Sequence, residues 1–221
     1  MNNSLLKFNW NSIESYSQEQ ITYFLYLEGK TVEVICKIRN LDKEIVKQHI
    51  LNGKIKYGIL AKSSNEKDLF KIMCKSGKQD KIDTLNKLDD VNKDNFIKFI
   101  KDNYTDMRTR EKEVAVWIIG ELKSLECKDI LVKALVHNHV NVRRMAVSAM
   151  GKIQNNIFEI ALIRALSDEN SQVVYYAIKA LIKIKSEKAL DKIKNIYDKT
   201  EKSYLKKLCK SFIEDLENKG E

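Results

Sequence analysis

The side chains best suited to acid–base, nucleophilic or metal chemistry are three histidines, His49, His137 and His139, and four cysteines, Cys36, Cys74, Cys127 and Cys209. His137 and His139 form an H-x-H pair with no third ligand in view, so no metal site is expected. The cysteines are widely spaced and make no C-x-x-C pair, which reads as free, mostly buried thiols rather than a disulfide framework or a zinc site. Seven glycines form no G-x-G-x-x-G, no P-loop and no G-x-S-x-G. No catalytic residue and no cofactor are therefore assigned, and a non-enzymatic protein is expected. His49 is expected to be a half-buried packing residue.

What remains is charge. The 221 residues carry 40 Lys and Arg against 31 Asp and Glu, a formal +9, with 43 % hydrophobic residues and no proline. The length suits one domain or two small ones with a real core. No apolar run of about 18 residues occurs, and the first 30 residues mix Lys7, Asn9, Glu14 and Gln18 with their hydrophobics. No membrane association is expected, and the cytoplasm is the expected location. The basic excess lies at both ends: residues 1–62 carry +3, 63–107 are neutral, and 108–221 carry +6. A lysine-rich bias in composition accounts for part of it.

The elements that must position this charge are legible as a repeat. Cutting from Lys93 in steps of 31 gives four ungapped blocks, 93–123, 124–154, 155–185 and 186–216. One column reads Ile100, Leu131, Leu162, Ile193, and four residues on Tyr104, Leu135, Leu166, Tyr197. Later in each block come Ala115, Ala146, Ala177, Leu208, then Ile119, Met150, Leu181, Phe212. Each half-block has the 3, 4, 7 spacing of an amphipathic helix, so each block is a helix hairpin. Residues 62–92 align loosely, keeping Leu69, Met73, Leu88 and Val91, and are read as a degenerate further hairpin. The expected fold is all-α: an α-solenoid of hairpins over 62–221, capped by 186–221, with a small helical head over 1–61.

The segments "EVAVWIIGEL" (113–122), "VRRMAVSAMGKI" (142–153) and "VVYYAIKALIKI" (173–184) resemble the second helix of a short HEAT repeat of the phycobilin-lyase type, over about residues 93–216. Tetratricopeptide and ankyrin signatures use proline, which this chain lacks. The resemblance implies a solenoid whose second helices line a concave, partner-binding face. Positions 113, 117 and 121 and their equivalents would project there: Glu113, Trp117, Glu121; Arg144, Ser148, Lys152; Tyr175, Lys179, Lys183; Lys206, Lys210, Glu214. The expected partner-binding residues are Trp117, Arg144, Lys152, Tyr175, Lys179, Lys183, Lys206 and Lys210. The resemblance also implies a stacking ladder of Asp and Arg, present here only in part. Asp168 has lost its own ladder partner, since Val174 stands at the Arg position of its block, and is expected to reach Arg143 of the preceding one.

In the head, Ser17 with Gln20 is a capping-box start for a helix ended by Gly29. Thr31 can cap a second helix to about Asn40, and Asp42 a third to about Tyr57. Within them "ICKIRNLDKEIVKQHI" (35–50) resembles the helix-turn-helix of LuxR-type regulators. Ile35, Cys36, Leu41, Asp42, Val46 and His49 fall in register. Arg39 occupies an apolar position, with Ile38 as the expected substitute, and Ile45 replaces a polar Thr. Lys43, Lys47, Gln48, Lys54 and Lys56 would be the nucleic-acid contacts.

A binding or scaffold protein with a macromolecular, first of all protein, partner is the expected function. The alternatives are a DNA-binding regulator using the head and a basic groove, or, by resemblance, a HEAT-like DNA glycosylase or phycobilin-lyase-like enzyme. In the glycosylase reading Trp117 with Glu113 or Glu121 would be the candidates.

Overall fold

The computed structural model describes residues 4–217; residues 1–3 of the expected head and 218–221 of the expected cap lie outside them. The described residues are helical throughout, with no strand, and no helix among them is long and apolar enough to cross a membrane. They form two compact units, 1–96 and 97–221, whose division falls within one helix. Residues 62–92, read from sequence as a degenerate repeat, thus group with the head, together with 93–96, the start of the first 31-residue block.

In the first unit, α1 (Gln18–Leu27) opens with the expected capping box: Ser17 Oγ accepts from the Gln20 amide, and the Gln20 side chain accepts from the Ser17 amide. Gly29 leaves the helix at φ +84°, a region an L side chain disfavours. α2 (Val32–Arg39) is capped by Thr31 and terminated by Asn40 in the left-handed region. α3 (Lys43–Lys62) runs five residues beyond the expected end. Nothing in that stretch breaks it: no proline interrupts, and Tyr57 and Leu60 continue its buried face. Ile35, Val46 and Ile50 form the α2–α3 core, with Leu25, Tyr26, Val32, Cys36 and Leu41 against it.

One expectation fails here. Ile38 does not replace the missing apolar residue; it is 55 % exposed, while Arg39 turns inward and donates to the Gln18 side chain. The long arginine stem fills the position while its head finds a polar partner.

α4 (Glu66–Met73) and α5 (Lys78–Lys87) follow, then α6 (Asp90–Asn103). Leu69, Met73 and Leu88 are buried as aligned. Val91 is instead 70 % exposed, because it falls on the outer side of the first turn of α6.

The second unit repeats in space as it does in sequence. After the end of α6 come α7 (Thr109–Glu121), α8 (Lys128–Ala134), α9 (Val140–Ile153), α10 (Glu159–Ala165), α11 (Ser171–Lys183), α12 (Leu190–Lys199) and α13 (Ser203–Glu217). The 3-10 turns Leu125–Cys127, Asn156–Phe158 and Glu187–Ala189 recur at 31-residue steps. So do the left-handed residues that close the second helices, Lys123, Gln154 and Lys185, at φ 51°, 56° and 55°. After Lys123 and Lys185 the next amide reaches back, Ser124 N–H to Ile119 O and Ser186 N–H to Leu181 O, as in a Schellman closure.

Within this unit α7 packs along α9, α9 along α11 and α11 along α13, while α8, α10 and α12 pack against α9, α11 and α13. Ala115, Ala146 and Ala177 are fully buried, as are Ile100, Leu131, Leu162 and Ile193. The approach of second helices is closest at glycine: a Cβ on Gly120 would sit 2.7 Å from Ala149 Cα, and one on Gly151 3.0 Å from Ala180 Cβ.

Arg143 and Asp168 tie consecutive blocks together. Arg143 Nε and Nη2 donate to the two Asp168 carboxylate oxygens at 2.7 and 3.0 Å, Nη2 also to Glu169 at 3.1 Å, and Nη1 to the His137 and Asn138 carbonyls at 3.0 and 3.1 Å. Asp168 thus reaches Arg143 as expected; the bonds to Glu169 and to the two carbonyls had no sequence counterpart. The Asp168 hydrogen bonds, ahead of the cost of burial, hold the guanidinium more firmly protonated than usual.

Tyr104 is a local defect: its hydroxyl is buried without a hydrogen-bond partner, and burial pushes its pKa up to about 12. Leaving such a group unmade costs free energy, so Tyr104→Phe is expected to be neutral or to stabilise by about 1 kcal/mol. The folded pKa exceeds the ordinary value of 10.0, so wild-type stability should decline as pH rises from that value through about 12, as the unfolded tyrosine ionises first. Thermal melts of the two proteins across that window should show their difference widening with pH.

Candidate functional site

The second helices of 97–221 present the expected strip because residues four apart on a helix share a face and the 31-residue step sets α7, α9, α11 and α13 in register. The α7 and α9 rows are half-buried and the α13 row is exposed; in α11, Tyr175 is half-buried while Lys179 and Lys183 are exposed.

Several of the expected cations already serve the fold. Lys152 of α9 pairs with Glu121 of α7 at 2.5 Å, and its ammonium lies 5.8 Å above the Trp117 ring. Lys183 of α11 donates to the Gly151 carbonyl of α9 at 3.2 Å. Lys210 pairs with Glu214 at 3.5 Å on its own helix. These contacts cross or run along the strip and leave its charge unevenly distributed.

Among the described residues, Arg144, Lys179 and Lys206 hold no carboxylate. The Arg144 Nε is buried with no hydrogen-bond partner. Lys179 lies 5.4 Å above the Tyr175 ring, and Lys206 6.0 Å above Tyr197. Tyr175 meets Tyr176 and Tyr204 edge-on, with centroids 5.6 and 5.7 Å apart. The strip therefore offers donors and aromatic surface at α9, α11 and α13, and acid, Glu113 and Glu121, at α7. Such a surface suits an anionic or polar partner.

The head residues are more fully engaged than their types suggested. Lys43 pairs with Glu33 at 3.0 Å, and Lys47 with Glu44 at 2.7 Å. Both carboxyls are held below the ordinary range: Glu33 by its backbone hydrogen bond and then Lys43, Glu44 by its bond to Lys47. Gln48 donates to Asn52, which donates to Glu19. Lys54 and Lys56 lie over the Tyr26 and Tyr57 rings at 4.9 and 5.3 Å. His49 is half-buried, with Nδ1 3.2 Å from the Thr22 hydroxyl, the packing role expected of it.

His137 and His139 lie with rings 6.1 Å apart, and the His137 Nδ1 accepts the His139 amide at 3.0 Å. Burial, then the nearby Lys112, His139 and Arg143 charges, hold His137 below its ordinary pKa. Among the described residues no group of three or more His, Cys, Asp or Glu could hold a metal ion. Cys127 and Cys209 are buried, and burial pushes the Cys209 thiol up to about 11.

One surface had no counterpart among the sequence expectations. On α8 and the turn after it, and on the 3-10 turn before α10 and α10 itself, the apolar side chains Val132, Val136, Ile157 and Ile160 are exposed by 45, 80, 55 and 64 %. Their signal was hidden because each stands beside another apolar residue, buried Leu131 and Phe158 or half-buried Leu135 and Ala161, so that runs of apolar residues read as core. No protein-family model matches the chain, and no curated protein matches it.

Proposed function

We propose that 97–221 is a short HEAT-type array and that the chain is a non-enzymatic binding protein, holding a macromolecular partner, first of all a protein, along the strip of its second helices. The observation that carries this reading is the cluster of cations without carboxylates, Arg144, Lys179 and Lys206, beside Tyr175 and Tyr204 on consecutive second helices. A folded core has no use for it: the other lysines of the strip close on Glu121, the Gly151 carbonyl or Glu214. In the HEAT reading this face is concave and the paired Lys152 and Lys183 stiffen its floor.

The test is affinity capture from the source cell with the wild type, the Lys179→Glu/Lys206→Glu variant and a control, Lys71→Glu, on the first unit. Loss of at least tenfold of the captured partner in the strip variant alone is the expected result. Equal capture by all three would reject the strip as the binding face.

A DNA-binding regulator is the second reading, supported by the short Asn40–Leu41–Asp42 connection between α2 and α3 over an Ile35/Val46 core. Duplex binding through the strip's three uncompensated cations would give a log–log salt slope of about −3, and loss of duplex binding in Lys43→Glu/Lys47→Glu would favour the head.

A further inference from the structure

We infer that the outer face of α8 and α10 is a second docking surface, one that takes an acidic amphipathic helix of a partner protein. Val132, Leu135 and Val136 from α8 and its following turn face Ala161 and Ala165 of α10 across a groove of about 190 Å³. That is room for a single large apolar side chain, since a cavity of about 150 Å³ accepts a benzene ring. The small Ala161 and Ala165 form its floor and the β-branched Val132 and Val136 its wall. Ile160, one residue before Ala161, and Ile157 extend the apolar surface along the same chain segment. Apolar residues that line one groove from two neighbouring hairpins mark an interaction site rather than the scattered exposure of an ordinary surface.

Charge selects the occupant. Arg164 lines the groove, and among the described residues neither its guanidinium nor the ammonium of Lys133, on the neighbouring turn of α8, has an ion-pair or hydrogen-bond partner. The lining carboxylate, Asp168, is already closed by the two-pronged bond from Arg143 and presents little charge outward. An incoming segment thus meets an apolar slot edged by uncompensated positive charge. A helix carrying leucines on one stripe and carboxylates beside them satisfies both features.

A second copy of this chain would bring another Arg164 and Lys133 against the first pair. A bilayer surface wants protruding bulky or aromatic side chains; here the shape is an indentation walled by valines.

The strip on the second helices plays no part in this surface, so the two readings stand or fall separately. The experiment uses the full chain and a fluorescent 14-residue helical peptide with leucines at heptad a and d positions and glutamates elsewhere, beside its twin with lysines for glutamates. Binding is followed by anisotropy at physiological salt. The glutamate peptide should bind saturably and at least tenfold more tightly than the lysine twin. Val136→Asp, a fully solvated change that spares the fold, should weaken it at least tenfold. Arg164→Glu/Lys133→Glu should reverse the preference toward the lysine twin, while Lys179→Glu/Lys206→Glu should leave both affinities unchanged.

No saturation below about 1 mM overturns the inference, as does equal binding of both peptides or wild-type affinity in Val136→Asp. A Val136-dependent dimer in sedimentation would assign the groove to a second copy instead. Val136-dependent binding to anionic vesicles, with no peptide binding, would assign it to a membrane surface; either result overturns the partner-helix assignment.

Discussion

Arg143→Ala should destabilise the second unit by about 3–5 kcal/mol, the range for removing one partner of a buried ion pair. The size follows from what stays behind. The Asp168 side chain is 9 % exposed and accepts both arms of the guanidinium, and the His137 and Asn138 carbonyls lose their donor as well. Removing the arginine strands a carboxylate where water reaches it poorly. Arg143→Lys should recover only part of the loss, because an ammonium cannot span two carboxylate oxygens and two carbonyls with one planar fork. Arg143→Met with Asp168→Leu should be far milder than Arg143→Ala, since no unpaired charge remains. Urea midpoints read by tryptophan fluorescence in a Trp10→Phe background, where Trp117 alone reports, would measure all three. A loss under about 1 kcal/mol for Arg143→Ala would place the pair with solvated surface bridges and contradict the burial described above.

Gly120→Ala should also be destabilising, by about 1–3 kcal/mol, although alanine is the better helix former by about 1 kcal/mol. The added methyl would meet Ala149 Cα and Cβ at 2.7 Å, and a helix backbone cannot step aside as a flexible side chain can. Gly151→Ala meets the Ala180 methyl at 3.0 Å and its Cα at 3.3 Å, a smaller overlap, so its loss should be smaller or cancelled by propensity. The pair Gly120→Ala with Ala149→Gly exchanges the methyl between helices and should restore part of the lost stability. Melting temperatures ordered the other way, with Gly151→Ala the worse variant, would show that the α7–α9 approach is not the tighter one.

Those two sites illustrate what was legible beforehand. Arg143 and Asp168 stand 25 residues apart in different blocks; the 31-residue step places them in adjacent blocks, and the pairing was expected from the Asp–Arg ladder that the HEAT resemblance implies. The alanine and leucine columns are legible for the same reason, because a helix face that must be buried in every block leaves the same residue type at the same offset. The capping box at Ser17 and Gln20 is local chemistry and needs no tertiary contact.

Other features were hidden by the same rules. Lys123, Gln154 and Lys185 close helices in a conformation usually given to glycine, so no residue type announced it. Arg39 lies inward and Ile38 outward because the α1 residue Gln18 supplies a partner that a local pattern cannot show. Lys152 and Lys183, chosen as ligand contacts by type and position, are held by Glu121 and the Gly151 carbonyl of the preceding block.

By itself, the sequence determined the helical class, the 31-residue step and the residues that face inward, because periodic burial is written into residue type at fixed spacing. Which cations remain uncompensated, and which apolar residues remain uncovered, was decided only by the tertiary structure. Both depend on what the next helix brings within a few ångströms: a lysine is a structural strut beside Glu121 and an open donor beside Tyr175, and a valine is core beside one helix and groove wall beside another.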